Sequence, residues 1–104
     1  MKRIGELTAE EIANLKAKHG KVVEVEVEDC GEKYVGYFRR PSMDTISAMM
    51  AESKRDEVKA LEILFENTYI SGCQEFRTDA VVKVAAMTQL GSLVGGCVAK
   101  LKNL

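Results

Sequence analysis

Apolar positions change period twice along this chain. Ile12 and Leu15 fall on one face of a helical repeat. Ahead of them Thr8-Ala9-Glu10-Glu11 has capping-box spacing, in which the threonine hydroxyl accepts from the amide three residues on and the glutamate reaches back. Leu7 can staple onto Ile12, and His19-Gly20 supplies an end, because glycine takes the left-handed conformation easily. A helix over about residues 9–18 is predicted. From Lys21 the period becomes two, with Val23, Val25 and Val27 alternating with Glu24, Glu26 and Glu28. Asp29-Cys30-Gly31-Glu32 has turn chemistry, and Lys33 to Arg40 is aromatic and β-branched, so the two runs predict an antiparallel hairpin. Lysine and arginine of its second strand are placed to face the glutamates of the first. A hairpin alone is marginal, so its valine face is expected on the helices or on another copy.

Pro41 disfavours a helical Arg40 and marks the return to the helical period. Ser42 can cap a helix carrying Met43, Ile46, Met49 and Met50. A second run from about Asp56 presents Val58, Leu61, Leu64, Phe65 and Tyr69, with Ala51 to Arg55 as either a joint or a continuation. Ser71-Gly72-Cys73 is read as its end, and Thr78-Asp79 as the cap of a last helix reaching towards Leu101. The expected fold is α+β: an N-terminal helix, one antiparallel β-hairpin and about three C-terminal helices. They form one domain over residues 1–104, with helix and hairpin in 1–40 and the helical part in 41–104.

The totals support one core. The chain has 104 residues, 46% of them hydrophobic and 30% charged, enough apolar material to fold but not enough length for two cores. Fifteen basic and sixteen acidic residues are spread evenly on both sides of Pro41, so no basic half exists to grip a phosphate backbone. Met87 to Ala99, the longest weakly polar stretch, is shorter than the ~20 apolar residues that span a bilayer. Glu6, Glu10 and Glu11 interrupt any signal-like run, and Cys30, Cys73 and Cys97 are odd in number and widely spaced. A reducing cytoplasm is the expected location.

Chemistry is sparse. His19, the single histidine, is accounted for at a helix end by the last carbonyls and the helix dipole. An enzyme would need it joined to a cysteine through the fold. The cysteines show no metal-ligand or dithiol spacing and are expected as small buried side chains; no cofactor or metal is expected. Three alternate glutamates suit a solvated strand face better than a calcium site. Arg39, Arg40, Lys54 and Arg55 beside Tyr34, Tyr37 and Phe38 make the case for the alternative reading, a small regulatory or nucleic-acid-binding protein. In the last helix Gly91, Gly95 and Gly96 each cost about 1 kcal/mol against alanine. Such small residues allow close helix packing, within the fold or between chains. The methionines are expected as core filler. The candidate protein-binding or helix-packing residues are Met49, Met50, Leu61, Phe65, Tyr69, Met87, Gly91, Gly95 and Val98.

The order of features resembles a known family. A charged helix ending in LKAKHGKV, an acidic hairpin closing with YVGYFRRPSMDT, the segment DEVKALEILFENTYISGC and a small-residue C-terminal helix together resemble the tail assembly chaperones of tailed bacteriophages and prophages. That resemblance implies a protein without enzymatic activity. It implies binding of the long, helical, aggregation-prone tape measure protein before the tail tube protein polymerises around it. Several copies, and in some members a longer frameshifted form, are also implied.

Overall fold

The computed structural model describes residues 3–95 and 99–104, so the expectations placed on Gly96, Cys97 and Val98 lie outside the described residues. In chain order the elements are β1 (Arg3–Ile4), α1 (Ala9–His19), β2 (Val22–Asp29), β3 (Glu32–Arg39), α2 (Met43–Ser53), α3 (Glu57–Thr68), β4 (Tyr69–Gly72), α4 (Glu75–Thr78) and α5 (Ala80–Val94). The fold is α+β, as the two periods predict, with a four-stranded sheet among the described residues.

β3 is the strand that the others share. β2 pairs with it antiparallel from Val22↔Arg39 to Asp29↔Glu32. On its other side β1 pairs parallel through Arg3↔Lys33 and Ile4↔Tyr34, and β4 antiparallel through Gly36↔Gly72, Tyr37↔Ser71 and Phe38↔Tyr69, with a bulge between Tyr37 and Phe38. β2 is thereby left at the edge of the sheet. The hairpin closes through Cys30 and Gly31 at φ 52° and 80°. Two consecutive residues in that region match the right-handed twist of the flanking strands.

The period of two sorts the faces. Val23, Val25 and Val27 share the inner face with Phe38, Gly36 and Tyr34, and Glu24, Glu26 and Glu28 share the outer face with Tyr37, Val35 and Lys33. Of the expected cationic partners on β3, only Lys33 stands opposite a glutamate. Glu24 and Glu26 instead take their cation from β1, where the Arg3 guanidinium lies 2.7 Å from Glu24 and 2.8 Å from Glu26 and also pairs with Glu6. Tyr37, 1% exposed, accepts from the Leu7 amide at 3.1 Å and donates to Glu24 at 2.9 Å. The N-terminal segment is thus fastened over part of the outer face, and α1 beyond it buries no residue fully. Its predicted capping box is formed, with the Glu11 amide donating to Thr8 Oγ1 and the Thr8 amide to Glu11.

On the inner face the core is aromatic. Phe38 meets Phe65, Tyr69 and Phe76 edge-on at centroid distances of 5.4, 5.6 and 6.2 Å. Phe76 reaches the sheet because Gly36 and Gly72 lie side by side: a Cβ on Gly36 would stand 2.8 Å from the Phe76 ring, and one on Gly72 only 2.9 Å from the Gly36 Cα. Arg77 lies over the Tyr69 ring at 4.5 Å and Lys83 over Phe65 at 5.2 Å. Glu66 accepts from both cations, at 3.3 Å from Arg77 and 3.2 Å from Lys83, tying α3 to α4 and α5.

β1, β4 and α4 are additions to the expected elements, and α5 is shorter than expected. α3 gives way to β4 without a loop: Thr68 Oγ1 donates to the Leu64 carbonyl at 2.7 Å, and Tyr69 turns extended at φ −61° and ψ 130°. The four-residue spacing of Phe65 and Tyr69 mimics a continuing helix, yet Tyr69 begins a strand. α5 starts as predicted, with Asp79 accepting from the Val81 and Val82 amides, but it stops at Val94 with Gly95 as its cap and does not reach Leu101. Ala99–Leu104 is exposed and irregular. α2 packs on α3 as the outer helix of a hairpin, capped by Ser42, and buries only Thr45 fully. Lys54 to Asp56 is the joint.

Phe76→Ala is expected to lower stability by about 3–5 kcal/mol, as deletion of a buried aromatic does, measured by chemical denaturation. A second expectation concerns pH. Burial pushes the Glu66 carboxyl up, but the hydrogen bonds from Lys83 and Arg77 outweigh it and hold the group below the usual glutamate range. Such a group stabilises the fold above its unfolded value, and the contribution is lost as pH falls through its folded value. Glu66→Gln should therefore cost up to about 1 kcal/mol near neutral pH, since the pair is partly solvated. The difference from wild type should vanish on acidification below the glutamate range, as read from urea titrations.

Candidate functional site

Most of the predicted surface residues turn inward. Phe65 is fully buried and Met87 is 3% exposed, both in the main core cluster. Leu61, Tyr69 and Met49 are half-buried against that cluster. Gly91 packs α5 on α3, since a Cβ there would come within 2.9 Å of Leu61 Cδ2. Of the two roles open to this glycine, close packing within the fold is the one seen. Gly95 caps α5 and a Cβ there would meet nothing within 4 Å. Only Met50 of the described candidates is an exposed side chain of size, at 59%, and Met43 one helical turn pair earlier is 70% exposed. Expecting every methionine in the core therefore fails for Met43 and Met50 of α2, whereas Met49 of the same helix packs against the core.

Two hollows remain. One runs between the β2 edge and α5, with a volume of about 440 Å³; Val23, Val25 and Val27 line one side and Ala85, Leu90 and Leu93 the other. Glu24, Glu26 and Glu28 follow the same strand along its margin. The second, of about 180 Å³, lies where Pro41 and Ile46 face Leu93 and Val94, with Arg40 at its border. Met43, Ile46 and Met50 recur at helical spacing on α2, so an apolar stripe leads along that helix into the second hollow. The period of α2 was readable from sequence. What was not readable is that α2 would sit outside α3, since that depends on which helix reaches the sheet.

His19 stays at the C-terminal end of α1, followed by Gly20 at φ 80°. Cys73 is buried, with its thiol pushed up by burial, while Cys30 stands exposed in the hairpin turn and corrects the expectation of a buried side chain there. Among the described residues, no three His, Cys, Asp or Glu side chains are grouped to hold a metal ion. Of the aromatics named for the nucleic-acid alternative, Tyr37 and Phe38 are 1% and 0% exposed and Tyr34 is half-buried. Arg39 donates to the Asn67 carbonyl at 2.9 and 3.1 Å, and Arg55 to Glu52 at 2.6 Å. Among the described residues, no helix is long and apolar enough to cross a membrane.

Burial separates the two described cysteines chemically. Under native conditions an alkylating reagent should modify Cys30 at least about tenfold faster than Cys73, read peptide by peptide in the mass spectrometer. Equal rates would contradict the packing of β4 on β3.

No family model matches this chain, and no curated protein matches it. The chain is similar in structure to uncharacterised protein rbstp2171 from Bacillus stearothermophilus, with a TM-score of 0.56 and 23% identity, over 88% of this chain and 99% of that one. At that identity the likeness is one of fold.

Proposed function

We propose that this chain is a non-enzymatic protein-binding protein, a tail assembly chaperone that holds the tape measure protein in soluble form before the tail tube assembles. One observation carries the reading: the α2 stripe of Met43, Ile46 and Met50, which leaves two methionines 70% and 59% exposed beside an apolar hollow. Unbranched, polarizable methionine side chains adapt to many shapes, which suits a surface that must accept a long helix of changing sequence. An amphipathic helix docks through apolar side chains at three- and four-residue spacing, and α2 presents its own at the same spacing. Arg40 at the border of the hollow offers a cation to an acidic residue flanking such a stripe. The near-zero net charge, −1, imposes little long-range repulsion on either sign of partner.

Met43→Glu with Met50→Glu should leave the fold intact, because neither side chain is buried. The variant should cut recovery of co-expressed tape measure protein in the soluble fraction by about tenfold, the effect of losing about 1.4 kcal/mol of binding. If wild type and variant leave the partner equally soluble, or neither co-purifies with it, the proposal fails.

A further inference from the structure

The β2 edge is unlike the rest of the surface. Eight residues of strand, Val22–Asp29, pair on one side only and lie beside the larger hollow. Natural sheets blunt such an edge, and an unblunted one is a template for another strand. Its chemistry is also uncompensated. Glu6, Glu24 and Glu26 share the single guanidinium of Arg3, so three carboxylates meet one cation, and Glu28 makes no ion pair among the described residues. Elsewhere in the same chain Ala99-Lys100-Leu101-Lys102-Asn103-Leu104 is extended into solvent, with Leu101 94% exposed and Leu104 fully so.

We propose that the β2 edge and the groove between it and α5 receive residues Ala99–Leu104 of a second copy of this chain as an added strand. The two segments are complementary in charge. Side chains two apart on a strand share a face and lie about 6.6–6.8 Å apart, so Lys100 and Lys102, with Leu104 after them, fall together on the face of Glu24, Glu26 and Glu28. Leu101 then falls on the opposite face, that of Val23, Val25 and Val27, where the groove accepts it between β2 and Leu90 and Leu93 of α5. The two lysines bring the two positive charges that the Arg3 cluster lacks. Opposite charges directly across a strand pair stabilise it, and like charges destabilise it.

The same rule excludes the symmetric alternative. If two β2 edges paired antiparallel with each other, every register that keeps the valines on a common face and pairs more than three residues would set glutamate opposite glutamate. The contact is therefore between the tail of one copy and the groove of another, which closes a two-fold dimer when the exchange is reciprocal and builds rings or open chains when it is not. Ala99–Leu104 is exposed on its own chain and so is available to a second molecule. The inference is independent of the α2 surface and of any partner that surface holds.

Two variants test it: Lys100→Glu with Lys102→Glu, and Glu26→Lys with Glu28→Lys, each checked for folding by circular dichroism. In sedimentation velocity the wild-type weight-average mass should rise with concentration to about twice the monomer or beyond, and fall again as salt screens the ion pairs. Each variant alone should stay monomeric, since tail and groove then carry the same sign. An equimolar mixture should recover the wild-type rise, because each tail meets a groove of opposite charge in the other molecule. The peptide Ala99–Leu104 added in excess to labelled wild type should shift the amide signals of β2 and disperse the assemblies. The proposal is overturned if wild type stays monomeric at every concentration, or if the variants self-associate as it does. It is equally overturned if the peptide leaves β2 unmoved, or if the equimolar mixture of the two variants stays monomeric.

Discussion

Everything in this fold is arranged around the approach of Phe76 to two adjacent glycines. Gly36 on β3 and Gly72 on β4 face each other, and the Phe76 ring lies where their side chains would be. Because the ring enters there, it meets Phe38 at a centroid distance of 6.2 Å, and Phe38 in turn meets Phe65 and Tyr69 at 5.4 and 5.6 Å. The short helix α4 is held against the sheet by Phe76 together with Arg77 over the Tyr69 ring, which fixes where Asp79 begins α5. α5 in turn takes its place over the inner valines, with Val82, Ala86, Met87 and Leu90 buried. A methyl group at Gly36 would push the ring, and with it the start of α5, away from the sheet. Close packing of this kind leaves little room for adjustment.

With α3, α4 and α5 occupying the inner face, α2 has α3 as its main neighbour. Its apolar residues exceed what one neighbour can cover, and the surplus is the stripe of Met43, Ile46 and Met50. The partner surface proposed for this chain is thus a consequence of the core and not a separate decoration on it. The same constraint leaves β2 as an edge, since β1 and β4 both add to the far side of β3. Two unfinished surfaces, one helical and one stranded, follow from one packing decision.

Local chemistry made much of this legible from sequence. The capping box at Thr8, the Cys30-Gly31 turn, the cap at Ser42 and the caps at Asp56 and Asp79 all involve residues within four positions of each other, so their spacing states their partners. β4 was not legible, because Tyr69-Ile70-Ser71-Gly72 becomes a strand only through pairing with β3, about thirty residues earlier. β1 rests on two residues and on Arg3 reaching Glu24 and Glu26. Gly91 shows the limit for the surface: small size announced a close contact, but only the position of Leu61 says that the contact is internal. Phe65 and Met87 mark their helix faces correctly as apolar, and apolar periodicity alone does not distinguish a core face from a binding face.

The account assigns protein binding to the outer face of α2 and the hollow at Pro41, and its most direct test is hydrogen exchange with and without the tape measure protein. The account predicts slowed exchange across Met43–Ser53, with α4 and the buried face of α5 unchanged. Unchanged exchange in α2, or protection confined to the outer sheet face around Tyr37, would contradict it.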